Sequence, residues 1–187
     1  MLKYYSQPHT QQDKFVAEAL EGKRNGTFLD LGCNHFQNIN NTFFLEKHLN
    51  WSGVAIDVLC ELENEWKENR PNTKFVCGSA LELDLLNILK TNNMPPVIDY
   101  LSLDLEPPKV TFYCLLKVIA LPYKFRVVTF ETDYYREKKY RDISRELFKD
   151  NGYVFVKSSM CHMGDINNEG QQEEQADYIE NQVKKSQ

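Results

Sequence analysis

The residues best placed to do chemistry are acids that end apolar runs: Asp30 after TFL, Asp57 after SGVAI, Asp104 and Glu106 at the end of VIDYLSL, Glu131 and Asp133 after RVVTF. Asp30 runs into Gly32 and Asn34 in a polar turn, and the helix TFFLEKHL follows, with Asn41 or a neighbour as its cap. A strand that delivers an acid and a glycine onto a helix start suits a nucleotide-like ligand. The glycine allows close approach, the free N–H groups of the helix start point at the ligand, and the acid accepts from its hydroxyl or amine donors. A tight turn with no ligand is the competing reading.

Asp57 falls one strand-helix-strand unit later, where a carboxylate can accept from both hydroxyls of a ribose. Its alternative role is to cap the following helix, CELENEWKENR. Gly78, Ser79, Ala80 and Leu81 follow a third strand, TKFVC, in a small-residue loop that could lie under an adenine ring, with Ala80 and Leu81 offering backbone and apolar contacts. Asp104 and Glu106, two apart, share one side as long as the chain stays extended. They stand where open α/β sheets place ligands, although either could instead cap the helix beginning near Pro108.

The elements that must position these acids read as strands and helices in alternation. QQDKFVAEALEGK carries Phe15, Val16, Ala19 and Leu20 at the spacing of one helical face. TFLDL and SGVAID are continuous apolar runs, the pattern of strands covered on both faces of a parallel sheet. In the helix between them Phe43, Phe44, Leu45 and Leu49 face inward, with Glu46, Lys47 and His48 facing solvent. LDLLNILKTNN and KVTFYCLLKVIAL supply further helices, and REKKYRDISRELFKDNG is a charged one with Ile143, Leu147 and Phe148 inward. GYVFVKSS is the next strand and ADYIENQV a weaker last one. The whole reads as a Rossmann-like three-layer α/β/α sandwich with a mostly parallel, about seven-stranded central sheet. One domain over residues 1–180 is expected, with residues 1–26 a helical segment packed on it and 181–187 a disordered tail.

At 187 residues, 42% hydrophobic and 12% aromatic, the chain can bury a real core. No apolar run approaches the ~20 residues that span a bilayer, and the start lacks the apolar centre of a secretory signal. The odd number of cysteines (Cys33, Cys60, Cys77, Cys114, Cys161), widely spaced, reads as reduced thiols in the cytoplasm. With no CxxC pair and no HxxxH set, no structural zinc site is expected. A formal charge of −5 gives no general attraction to polyphosphate. Neither a membrane nor a nucleic acid is the expected partner, and oligomeric state stays open.

YSQ near the start, Gln12 and Asp13 before FV, KRNGTFLDLGCN, NTFFLEKHLNWSGVAID, KENRPN, YLSLDLE and NGYVFV together resemble the FkbM-like family of S-adenosylmethionine-dependent methyltransferases over most of residues 4–156. The resemblance implies a class I methyltransferase domain, with methyl transfer to a hydroxyl of a sugar or other small molecule. Asp30, Gly32 and Asn34 would then lie against the methionine part of S-adenosylmethionine, Asp57 on the ribose, Ser79 and Ala80 beside the adenine, and Asp104 and Glu106 beside the methyl group. Asp104 would be the base, with Glu106 and Glu131 its electrostatic or metal-binding partners. A divalent cation is not expected, since strand-end acids serve equally to hold substrate hydroxyls. The chain departs from the family pattern at His35 and Phe36 in the first loop and at Pro107 and Pro108 after the Asp-x-Glu motif. His35 reads either as a substrate-facing base or as an exposed loop residue. A module that binds the cofactor without turnover, and a nucleic-acid methyltransferase, are the competing functions.

Overall fold

In the computed structural model, which describes residues 3–132, 138–161 and 172–180, the expected alternation of elements is present. Helix α1 (Gln12–Ala19) leads into β1 (Thr27–Leu31), α2 (Phe43–Leu49), β2 (Ser52–Asp57), a 3-10 turn (Cys60–Leu62), α3 (Glu63–Asn69) and β3 (Thr73–Cys77). Then come α4 (Leu85–Thr91), β4 (Val97–Leu103), α5 (Pro108–Ile119), β5 (Lys124–Glu131), α6 (Lys138–Asp150), β6 (Tyr153–Cys161) and β7 (Gln172–Glu180). The strands form one seven-stranded sheet in the order β3-β2-β1-β4-β5-β7-β6. β1 to β5 are parallel, and β7 lies antiparallel between β5 and β6. The weak signal at ADYIENQV thus belongs to a strand that begins earlier, at Gln172. The expected tail over 181–187, Asp133, and part of the charged run before α6 lie outside the described residues.

Both sheet faces are covered, which is why the strands read as continuous apolar runs. Leu29, Leu31, Val54, Ile56, Leu101, Leu103, Val128 and Phe130 pack on one side with Leu85, Leu89, Leu115, Val118 and Phe148 of α4, α5 and α6. Phe28, Tyr100 and Val127, partners in register, pack on the other with Phe15 and Val16 of α1 and Phe44 and Leu45 of α2. Trp66 of α3 stacks on Phe75 over the β2–β3 end. The segment before α1 is tied down by Asp13, whose carboxylate accepts from the N–H groups of Tyr5 (2.6 Å) and Ser6 (3.2 Å) and from the Ser6 hydroxyl (2.6 Å).

Three inward-outward assignments change. Glu46 is buried rather than solvated, because Arg70 from the end of α3 reaches it. His48 is half-buried, stacked on Tyr5 and tilted against Phe44, since the N-terminal segment folds over α2. In α6 the buried face runs through Tyr140, Ser144 and Phe148, which leaves Ile143 51% exposed. Charged residues mask that stripe in the sequence: a face one helical turn apart was marked by a tyrosine and a serine rather than by aliphatic side chains.

Candidate active site

The parallel strands β1 to β5 end on one edge, where Asp30 lies within β1, Asp57 and Glu131 are the last residues of β2 and β5, and Asp104 and Glu106 stand in the loop after β4. β1 is braced there from both sides. The Gly32 N–H donates to the Ile56 carbonyl (2.9 Å) and the Asp104 N–H to the Leu31 carbonyl (3.0 Å). Gly32 has φ +85, and a Cβ on it would lie 1.9 Å from the Asp104 carbonyl oxygen. Glycine is therefore demanded first by the close passage of β4 past β1, the expected approach of a ligand being a second use of the same freedom. Asp30 is buried (1% exposed) beneath the loop, and its Oδ2 accepts from the Thr42 hydroxyl at 3.0 Å. Burial pushes its carboxyl up to about 7, outweighing the Thr42 and Ser102 hydroxyls and the Arg70 charge, which pull it down. Its observed work is to hold the start of α2 under the loop.

That loop is held by Asn40, Trp66 and Arg70. The N-cap of α2 is Thr42, Asn41's neighbour, with no side-chain cap hydrogen bond, and Asn40 ties the turn before it: its Oδ1 accepts from the N–H groups of Thr42 (3.0 Å) and Phe43 (2.8 Å), while its Nδ2 donates to the carbonyls of Cys33 and His35, both at 3.0 Å. The Trp66 indole donates to the Asn34 carbonyl at 2.8 Å. Arg70, 1% exposed, places its Nε on Glu46 (2.6 Å), Nη1 on the Phe36 carbonyl (2.9 Å) and Asn40 (3.2 Å), and Nη2 on Thr42 (3.1 Å) and Thr73 (3.3 Å). The five N–H donors of a guanidinium are thus all matched. The carbonyls of residues 33–36 are in this way tied inward. His35 accepts through Nδ1 from the N–H groups of Gln37 and Asn38, both at 3.0 Å, and stacks on Phe36. It organises the loop, which answers the choice between base and exposed residue with a third role.

Asp57 ends β2 with Oδ2 accepting from the Asn34 N–H (2.8 Å) and Oδ1 from the Leu59 N–H (3.0 Å). It does not cap α3, whose N-cap is Leu62. Val58 beside it is 64% exposed, an apolar surface at the strand end that no periodic pattern marks in the sequence. Ser79 starts a turn, its carbonyl accepting from the N–H groups of Glu82 and Leu83, and Ala80 is buried against the core, 2% exposed. Cys60 and Cys77 form a disulfide with Cα atoms 5.1 Å apart. This corrects the expectation of five reduced thiols and removes that premise for a cytoplasmic location. The cause is tertiary: Asp57 and Cys77 are register partners, and the turn after Asp57 brings Cys60 back onto β3. Cys33 and Cys114 are free and buried. Burial raises both thiols, Cys33 well above its usual range and Cys114 to about 11, so neither is a ready nucleophile.

Asp104 follows directly on the last residue of β4, beside the Gly32 crossing. Asn41, buried, reaches it: Nδ2 lies 3.0 Å from the Ser102 hydroxyl and 3.4 Å from Asp104 Oδ2. β4 stops at Leu103, so the strand pairing that would fix Glu106 on the same side as Asp104 ends before both acids, and Glu106 is exposed in the bend. Neither acid caps α5, whose N-cap is Pro107 with no side-chain hydrogen bond. The bend is anchored instead by the buried Thr111 hydroxyl, which meets the Leu105 N–H at 3.1 Å. Glu131 ends β5, one residue past the Leu103–Phe130 pair, which sets it level with Asp104. Beneath them a polar row crosses the sheet in register, from Asp30 through Ser102 and Thr129 to Asp177, which pairs in turn with Lys157. Among the described residues no group of three or more His, Cys, Asp or Glu could hold a metal ion, and no helix is long and apolar enough to cross a membrane.

No protein-family model matches the chain, and no curated protein matches it. Solved structures do. It resembles an rRNA methylase from Streptococcus thermophilus with TM-score 0.56 and 14% identity, covering 96% of this chain and 98% of that one. It resembles a TehB-like SAM-dependent methyltransferase from Corynebacterium glutamicum with TM-score 0.55 and 14% identity, over 90% and 87% of the two chains. M. jannaschii TYW2 in complex with AdoMet gives 0.51 and 11%, over 93% and 78%. At such identities the likeness is one of fold. The chain has the Rossmann-like class I methyltransferase fold, α/β with a seven-stranded, mostly parallel sheet.

Proposed function

We propose that the chain is an S-adenosylmethionine-dependent methyltransferase, akin to the FkbM-like enzymes, acting on a hydroxyl of a sugar or other small molecule. The observation that carries this reading is the placing of Asp57 and Asp104 at the ends of β2 and β4, on either side of the Gly32 crossing, in a sheet of this strand order. The residues fit the cofactor. Each Asp57 oxygen accepts one backbone N–H and keeps a further lone pair for a ribose hydroxyl, and Val58 presents an exposed apolar surface beside it. Asn34 and Gly32 would face the methionine part, with Ser79 and Ala80 beside the base.

Bound S-adenosylmethionine would supply an electrophilic methyl group. Asp104 would hold the acceptor hydroxyl in line and take its proton as the oxygen–carbon bond forms. Asn41, 3.4 Å from Asp104 Oδ2, would hold the carboxylate for that role. Glu106 and Glu131 would accept from other hydroxyls of the acceptor. A nucleic-acid acceptor is the second reading, favoured by the likeness to an rRNA methylase. Against it, the described loops at this edge carry Asp57, Glu61, Glu82, Asp84 and Glu106, a poor surface for a polyanion.

Calorimetric titration with S-adenosylhomocysteine tests the cofactor assignment, and no binding at millimolar ligand would end it. Transfer of labelled methyl to panels of sugars, small alcohols and total RNA then identifies the acceptor class, with Asp104→Ala as control. Activity unchanged in that variant would remove Asp104 from the mechanism, and binding without transfer would favour a lapsed module.

A further inference from the structure

Lys117 sits on α5, half-buried, and its ammonium donates to backbone carbonyls of the loop after β3: Ala80 at 3.1 Å, Leu81 at 2.7 Å and Leu83 at 2.5 Å. An ammonium has three donors, and here each meets a carbonyl. Across a trans peptide the C=O of one residue and the N–H of the next point in opposite directions. With the Ala80 carbonyl drawn toward α5, the Leu81 N–H is turned away from it. The Ser79 carbonyl is taken up inside the turn by the N–H groups of Glu82 and Leu83, both at 3.0 Å, so the Ala80 N–H is turned away from the turn's interior, at a residue 2% exposed beside the half-buried Leu81. Neither of these N–H groups donates to another described residue. The same loop is joined to the Asp57 end of β2, through the Gly78 N–H on the Asp57 carbonyl at 2.8 Å.

We propose that Lys117 is a positioning residue for recognition of the cofactor's base. By holding the carbonyls of Ala80, Leu81 and Leu83, it fixes the outward direction of the Ala80 and Leu81 N–H groups toward a ring-nitrogen acceptor. The proposal rests on the cofactor reading above and adds to it a residue that touches no ligand. A lysine that only stabilised the fold would weaken every ligand alike when removed. A positioning lysine instead couples to one ligand atom.

The test pairs Lys117→Met with S-adenosylhomocysteine and its 1-deazaadenine analogue, in which a C–H replaces the ring acceptor N1. In the parent protein the analogue binds about two- to tenfold more weakly, the worth of one hydrogen bond. In Lys117→Met that ratio falls to about one. A ratio kept unchanged in the variant overturns the proposal, while failure of the parent to bind S-adenosylhomocysteine at all overturns the cofactor reading together with it. Should the variant not fold, hydrogen exchange in the parent decides: saturating S-adenosylhomocysteine slows exchange at the Ala80 and Leu81 amides, and exchange unaffected at both refutes the proposed role.

Discussion

Replacing Arg70 by methionine is the sharpest test of how the site loop is held. Methionine keeps an apolar stem against Trp66, Phe43 and Phe28, whose rings lie 4.7, 5.5 and 5.9 Å from the guanidinium carbon, but removes the charge and its donors. Glu46, whose side chain is 6% exposed, is then left as a buried carboxylate supported by the Asn72 N–H and the Thr73 hydroxyl alone. Breaking a buried pair in this one-sided way costs about 3–5 kcal/mol. For a domain of this size that lowers Tm by roughly 6–20 °C. The Phe36 carbonyl loses its donor and Asn40 Oδ1 one of its donors, so the loop of residues 33–36 loosens and affinity for S-adenosylhomocysteine falls along with stability. Urea unfolding of Arg70→Met, Glu46→Gln and the double variant measures the coupling directly. The double variant removes both charges and should lose less than the sum of the single losses by about 2 kcal/mol or more. A single-variant loss below about 1 kcal/mol, or strict additivity, would refute the account of Arg70 as the clamp of this loop.

Gly32→Ala places a methyl onto the Asp104 carbonyl in a left-handed backbone, and strain of about 1–2 kcal/mol adds to the clash. It should fold poorly or shift Asp104, and wild-type stability with wild-type cofactor affinity would contradict the close crossing. Cys60→Ser opens a disulfide between residues 17 apart, which should cost about 3 kcal/mol in non-reducing urea titrations, with the difference from the parent vanishing in dithiothreitol. Asp177, buried in the polar row with Lys157 as its cation at 3.7 Å, has its carboxyl pushed by burial up to about 7. Because the folded state binds this proton more tightly than the unfolded chain, its contribution is present below the unfolded value of about 4 and is lost as pH rises to 7, at about 1.4 kcal/mol per pH unit. Asp177→Asn should therefore gain stability relative to the parent at pH 8 and little at pH 4, and equal differences at both would remove this assignment.

What could be read from residues alone was whatever depends on local period and punctuation. Continuous apolar runs marked β1, β2 and β4 because a strand covered on both faces has no polar side to show. Pro108 marked the start of α5 because its missing N–H costs nothing there. Asp30, Asp57, Asp104 and Glu131 were legible as strand-end acids, and parallel strands carry such ends to one edge whatever their detailed packing.

Neighbours distant in the chain decided the rest. Nothing near Arg70 in the sequence signals burial: Glu46, Asn40, Thr42 and Phe36 lie 24 to 34 residues away, and only the packing of α3 over the β2–β3 end, which sets Arg70 beside α2 and the first loop, gathers them around one guanidinium. The Cys60–Cys77 bridge depends on the register of β2 with β3, and the direction of Glu106 on where β4 stops. The Ala80 and Leu81 N–H groups depend on a lysine from α5. The acids are thus set by the sequence as types and spacings, since those follow the local backbone. Which of them is buried under the loop, like Asp30, and which stands at the edge, like Asp57 and Asp104, was settled by packing, because burial and hydrogen-bond partners belong to the assembled sheet and its helices.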